Sequence, residues 1–420
     1  MKLEYFIAKR IIAAKTYKSS ISSPIIKIGI TAIALGVIMM LVSVATGTGL
    51  KIKVRDKIAA FNGHVLISNY DNNLSEVSLN PISSICDFYP EFTAVEEVTH
   101  IQAVAKKAGI VRTADTFEGI NFKGVDSLYD WKYFNEFLVS GRVPEISVEV
   151  NAEVMISEYL ANRLGLSLED RMNTYFLKDD TNKNPNLRVF KIVGIYNSGF
   201  QEFDSNIVMG DIRHIRRMNK WKTDEIGNFE VFIEDFSDIE RVGNLIYENS
   251  YIDIKDSGSY TSLDVKTIDK KYHNAFEWLK MFDFNIAAII TLMIIVAGIN
   301  MITALLVLIL ERTQMIGLLK AMGSTNASVR KIFLYNAGYL IIRGLVIGNI
   351  IGIGLLLIQK YFKIVTLEPK TYYVSEAPVN FDIWHILFVN VGTFILCFLM
   401  LLIPSFVISK ISPVKAIRFD

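Results

Sequence analysis

Four long stretches of this chain carry almost no charge, and they constrain the fold more than any other feature. Residues 28–50 (23 residues) and 284–310 (27) hold no Lys, Arg, Asp or Glu; neither do residues 383–409 (27). Residues 332–359 (28) hold only Arg343. A hydrocarbon layer of about 30 Å needs roughly 20 helical residues to cross it. Each stretch is long enough, and buried helices of soluble domains rarely run so far without a charge. The expectation is four transmembrane helices. The first block exceeds a signal-peptide core, follows 27 residues and ends in no small-residue cleavage site, so it reads as a retained anchor.

Lys/Arg bias orients the spans. Residues 1–27 carry six basic residues against Glu4, the 311–331 loop four against Glu311, and the 410–420 tail three against Asp420. Both termini and the 311–331 loop are therefore expected in the cytoplasm, with 51–283 and 360–382 outside. The outer segment holds 27 Lys/Arg and 37 Asp/Glu, which leaves 17 bases and six acids for the rest. The net charge of +1 thus hides an acidic outside and a basic inside. Nucleic-acid binding has no support, whereas the basic edge suits anionic membrane lipids.

The resulting layout is a helical membrane protein with four transmembrane helices and a mixed α/β extracytoplasmic domain inserted between helices 1 and 2. Residues 1–27 hold a basic amphipathic helix expected to lie in the interface. The spans are 28–50, 284–310, 332–359 and 383–409. They are separated by the 51–283 domain with helical stalks at 51–62 and about 265–283, the 311–331 loop and a 360–382 hairpin, and are followed by the 410–420 tail. Within the outer domain, Val65–Ile67, Phe190–Tyr196 and Glu230–Ile233 read as strands. Glu153 to Gly165 reads as a strand and then a helix ended by glycine. Residues 179–186 read as a hairpin loop, and Ser237–Tyr247 as a helix capped by Ser237.

No Walker A, His-Glu-x-x-His or Gly-x-Ser-x-Gly pattern occurs, and the five histidines lie at no metal-ligand spacing. Cys86 and Cys397 fall in regions assigned to different compartments, which excludes a disulfide framework or a Cys-based zinc site. No catalytic residue and no metal site is expected in this chain. The 311–331 loop is more informative. Glu311 to Gly323 reads as a short helix, with Met315, Ile316, Leu319 and Met322 on one apolar face. Such a face suits either a partner's groove or lipid. Ser324, Thr325 and Asn326 offer caps for the third span. That span carries Gly344, Gly348 and Gly352 on one face, either a close helix–helix contact or the glycine enrichment common in membrane helices. Arg343 has no Asp or Glu within any span to pair with.

Several motifs resemble one family along most of the chain. They are Phe6-Ile-Ala-Lys-Arg10, Phe61-Asn-Gly-His-Val-Leu-Ile67, Ile156-Ser-Glu-Tyr-Leu-Ala-Asn-Arg-Leu-Gly165 and Val193-Gly-Ile-Tyr-Asn-Ser-Gly-Phe-Gln-Glu-Phe-Asp204. Glu311-Arg312 with Ile316–Gly323, Tyr372-Tyr373 with Pro378-Val379, and Pro413–Asp420 continue the series. Together they resemble the FtsX/MacB-type ABC transporter permeases, and within them the lipoprotein-releasing LolC/LolE type. Arg312, Met315 and Lys415 depart from the family's usual Lys, acid and Glu.

The resemblance implies a permease paired with a second permease copy or paralogue and with two copies of a cytoplasmic ABC ATPase. ATP and Mg would be bound by that partner, and this chain would hold no cofactor. Residues 311–323 would be the coupling helix, with Met315, Ile316, Leu319 and Met322 as anchors and Glu311, Arg312 and Lys320 as rim, ended by Gly323. The cargo would be a lipoprotein leaving the outer leaflet of the bacterial inner membrane between spans one and two, lined by Met39, Met40, Ile290 and Met293. It would pass to a periplasmic lipoprotein carrier by mechanotransmission. MacB-like efflux of drugs or peptides, and FtsX-like activation of a cell-wall hydrolase, are the alternatives.

Overall fold

The structure, a computed structural model, describes residues 3–13, 22–72, 75–147, 149–178, 185–250 and 262–411. The basic residues Lys2, Lys15 and Lys18, the loop residues 179–184 and the Pro413–Asp420 motif lie outside them. The described chain divides into two compact units: residues 1–51, 278–366 and 376–420, and residues 52–277 with 367–375.

The first unit is helical. Among the described residues, four helices are long and apolar enough to cross a membrane: Ser22–Asn62 (whose last eleven residues belong to the other unit), His273–Glu311, Asn326–Phe362 and Ile383–Ser405. Backbone hydrogen bonds close within each helix, which is what a hydrocarbon environment demands. The third packs on the first through its small residues, and on the fourth through Asn349 and Asn390, whose side-chain amides bond reciprocally at 2.6 and 2.9 Å. The N-terminal helix, Leu3–Ala13, lies against the base of the third: Ser328 Oγ donates to Glu4 at 2.9 Å, and Tyr5 meets Tyr335 edge-on. Ala8 is buried there, so the helix rests on protein as well as presenting Tyr5 and Phe6 outward.

The second unit is built on a ten-stranded, mostly antiparallel sheet. Its strands are β1 (Val65–Asn69), β3 (Val98–Arg112), β4 (Phe117–Val125), β5 (Leu138–Gly141), β6 (Glu153–Ser157), β7 (Arg171–Phe176), β8 (Asn186–Tyr196), β9 (Ile207–Asp211), β11 (Asn228–Ile233) and β12 (Leu263–Thr267). A small ribbon pairs β2 (Ile82–Ser83) with β10 (Glu225–Ile226). The main order is β12-β1-β11-β3-β4-β9-β6-β8-β5, with β7 joining β3 and β8. Only β4–β9 and β6–β8 run parallel among the described pairs. The strands expected at 65–67, 190–196 and 230–233 fall inside β1, β8 and β11, and a helix, Glu158–Leu164, follows β6 and ends at Gly165.

Two local expectations are corrected. Ser237 does not cap a helix: Asp235 accepts from Ser237 N and starts a 3₁₀ turn, Phe236–Asp238, and the helix proper is Ile239–Asn249. Asp235 reaches two residues forward with its short carboxylate, so it wins the capping position. The second stalk does not begin near residue 265. Residues 263–267 pair with β1 as an edge strand, a short turn of helix covers Ile268–Lys271, and the long helix starts at His273. The tip of the 360–382 hairpin, 367–375, clusters with the outer domain: Tyr373 stacks on Phe200 at 4.3 Å and accepts from Lys57 Nζ at 2.9 Å.

Candidate functional site: the 313–321 helix, the glycine face and the stalk end

The second-span helix runs on to Glu311. Arg312 breaks it, and a separate helix covers Thr313–Ala321. Gly323 ends the turn with φ +91°, a conformation that costs a residue with a Cβ. Ser324 N donates back to Leu319 O at 3.0 Å, and Thr325 caps the third span by accepting from Ser328 N.

The structure turns this helix the other way from the expectation of outward anchors. Ile316 is fully buried in the chain's own helical core, and Met315 and Leu319 pack against the same core. Lys320 is not a rim contact either. Its ammonium donates to the carbonyls of Ile408 and Ile411, each at 2.7 Å, and so satisfies the end of the last helix. Burial there pushes its pKa below the ordinary lysine range. The outward face consists of Gln314, Leu318, Ala321 and Met322, which fall within about 100° of arc on a helix. Leu318 is 55% and Met322 74% exposed. Of the four expected anchors only Met322 points outward, and Glu311 is exposed at the helix before it. An apolar periodicity marks a face without saying which apolar surface will cover it.

Gly344, Gly348 and Gly352 all meet the first span. A Cβ on Gly348 would stand 2.8 Å from Ala34 O and 2.9 Å from Val37 Cβ. On Gly344 it would stand 2.7 Å from Ile33 Cβ, and on Gly352 3.3 Å from Leu41. The two backbones therefore approach to a distance that excludes larger residues. Of the expected lining residues, Met39 is exposed on the first span, but Met40 is buried beside Thr393. Ile290 and Met293 pack partly buried in the core between helices. Arg343 lies exposed over the Tyr339 ring, 4.7 Å from its centroid.

In the outer domain the first helix ends on a buried polar cluster that hydropathy did not reveal. Gly63 turns the chain with φ +68°, and any Cβ there would meet Glu230 Cβ at 2.9 Å. The orphan carbonyls of the helix end find side-chain donors: Lys123 Nζ bonds Phe61 O at 2.9 Å, and Tyr129 OH bonds Ala60 O at 3.3 Å. The same ammonium sits 2.8 Å from the Glu230 carboxylate, and both side chains are essentially inaccessible. Gln102 donates to Glu230 at 2.9 Å, and Lys106 donates to Asn62 Oδ1 at 3.2 Å. A cation at a helix C-terminus also complements the helix dipole. The available signal was one lone charge of opposite sign in each of two apolar strands, Lys123 in INFKGV and Glu230 in NFEVFI.

Comparison with known proteins matches this architecture in both units. The MacB-like periplasmic core domain model matches residues 28–247, more than half of the chain, and the FtsX-like permease C-terminal model matches 287–413. The lipoprotein-releasing system transmembrane protein LolC of Neisseria meningitidis is 21% identical over a 434-residue alignment covering 100% of this chain and 99% of LolC. The Bacillus subtilis ABC transporter permease YtrF is 29% identical over 171 residues, 39% of this chain and 36% of its own. A solved structure of the periplasmic region of MacB from Actinobacillus actinomycetemcomitans covers 50% of this chain and 91% of its own, at 14% identity and a TM-score of 0.32. Four membrane helices, an α/β domain inserted after the first, and the two family models place the chain among the FtsX/MacB-type ABC transporter permeases.

Proposed function

We propose that this chain is the permease of a mechanotransmission (type VII) ABC transporter that releases lipoproteins from the outer leaflet of the bacterial inner membrane to a periplasmic carrier. The observation that carries this reading is the similarity to LolC over the whole chain, outer domain and spans alike. The permease would work as a pair, with a second copy or a paralogue, over two cytoplasmic ATPase subunits that bind ATP and Mg. The Lys/Arg bias supports cytoplasmic termini and a cytoplasmic 313–321 helix. That helix would seat in the ATPase through Gln314, Leu318, Ala321 and Met322, while its inner face, through Ile316 and Lys320, passes the displacement to the spans. Acyl chains would enter beside the first span at Met39. Met40, Ile290 and Met293 would line the path only once the spans part.

Reconstitution with the ATPase, an acylated lipoprotein and a carrier tests the proposal directly. ATP-dependent appearance of carrier-bound lipoprotein is the expected result. No release, together with ATPase activity stimulated by drugs or peptides, would overturn it in favour of efflux. Activation of a cell-wall hydrolase without any transport would favour a signalling permease.

A further inference from the structure

A pocket of about 300 Å³ opens in the outer domain among Asn72, residues 75–78, β11, β12 and the turn before the second long helix. Lys106, Lys266, Lys270, Lys271, Glu76 and Asn228 line it. Four lysines face Glu76 in the lining, with Glu202 and Glu230 as the further acids that act on them. Lys266 pairs with Asp264, and Lys271 lies 3.5 Å from Glu76. Lys106 and Lys270 have no carboxylate partner among the described residues; the Lys106 ammonium donates only to the neutral Asn62 amide. Glu230, the next acid inward, is already engaged by Lys123. The Lys106 side chain is almost wholly buried, and the Asn228 side-chain nitrogen is buried without an acceptor.

We propose that this pocket binds a phosphate-type oxyanion, held by Lys106, Lys270 and Lys271 with the Asn228 amide as a further donor. The Lys106 and Lys270 ammonium groups, neither of them in an ion pair, leave donors free for such an anion. Lysine suits this task because its ammonium is a compact charge with three donors that turn to meet different oxygens. The volume admits a phosphate with part of its water shell, or the phosphate of a phospholipid headgroup. The present electrostatics agree. Burial and the neighbouring Lys106 bring Lys271 down to about 8, and burial beside Lys123 pushes Lys106 down as well. A bound anion would relieve that crowding and restore both charges.

The test is amine labelling of the full-length chain in maltoside detergent micelles, which carry no phosphate, at pH 8, followed lysine by lysine by mass spectrometry, with the exposed Lys220 as reference. With its pKa near 8, Lys271 is about half unprotonated there, and a rise of one unit on binding would slow its labelling about fivefold. Inorganic phosphate should produce that slowing in the natural sequence and less than about half of it in Lys270→Gln, an exposed position whose change leaves folding intact by its melting temperature. Nanodiscs containing phosphatidylglycerol form the second arm. Protection there without added phosphate assigns the oxyanion to a lipid headgroup, and protection by inorganic phosphate alone assigns it to a free ion. Equal slowing at Lys220 and Lys271, the same protection in Lys270→Gln, or no protection in either arm overturns the proposal.

Discussion

Replacing Lys123 by Met should destabilise the outer domain by about 3–5 kcal/mol, the usual result of stripping one partner from a buried ion pair. The structure says why the cost falls in that range. Glu230 would lose its ion-pair partner while it has no accessible surface, with Gln102 as its remaining side-chain donor. Phe61 O, at the end of the first helix, would lose its donor too. For a domain of this size the loss corresponds to a fall in melting temperature of about 6–20 °C. Thermal unfolding of the detergent-solubilised full chain, followed by near-UV circular dichroism, would read it. The informative variant is Lys123→Met with Glu230→Met. Removing both charges removes the unpaired carboxylate and leaves only neutral losses, at Phe61 O and Gln102, of about 1 kcal/mol each. The double variant should therefore be more stable than Lys123→Met alone. If the two substitutions add, so that the double variant melts below either single one, the ion pair is not what holds the helix end to the sheet.

Other expectations follow from the same geometry. Leu318→Asp with Met322→Asp should abolish co-purification with the ATPase and leave the melting temperature within about 1 °C, because these side chains touch solvent; Ile316→Asp should instead unfold the helical unit. Gly348→Ala should cost about 1–3 kcal/mol in thermal stability by overpacking against Ala34 and Val37, whereas Gly354→Ala, which meets nothing within 4 Å, should be neutral. Lys320→Met should raise amide exchange over residues 408–411 about tenfold or more, since two charge-assisted bonds to the Ile408 and Ile411 carbonyls disappear. His64 is one source of pH dependence, beside the buried His214: burial first, then Arg55, lowers the His64 pKa to about 4, while its Nδ1 accepts from Ile233 N. The unfolded chain, with a histidine near 6.5, binds the extra proton across that window, so the His64 contribution to stability falls as pH drops from about 6.5 to 4, by up to about 3 kcal/mol. His64→Asn keeps an acceptor near that position without titrating and should make the melting profile less steep over this range; an unchanged profile would refute the assignment.

Strand positions in the outer domain were legible where apolar runs were bounded by turn residues, as at Val65–Ile67 after Asn62-Gly63. They were not legible where tertiary pairing overrode local pattern. Residues 263–267, Leu-Asp-Val-Lys-Thr, alternate only weakly and sit beside a long helix, so they read as its first turns; β1 recruits them as an edge strand through main-chain bonds that no side-chain pattern announces. The 367–375 tip likewise reads as a plain loop between spans. It clusters with the outer domain because Tyr373 finds the Phe200 ring and Lys57 finds its carbonyl, contacts between residues more than 170 positions apart.

The four membrane helices were determined by the sequence alone, since apolar runs of that length with at most one charge have one low-energy solution in a lipid layer, with every backbone group bonded within the helix. The same holds for the inserted outer domain, whose charge density forbids it the membrane. Which way the 313–321 helix faces was decided only in three dimensions. Its periodicity defines an apolar side, but the helical core of the same chain offers Ile316 a closer apolar cover than a partner could, and that leaves Leu318 and Met322 outside. The glycine face shows the same division: its spacing is local, and the Ala34 backbone and Val37 side chain that make it necessary lie more than 300 residues away along the chain.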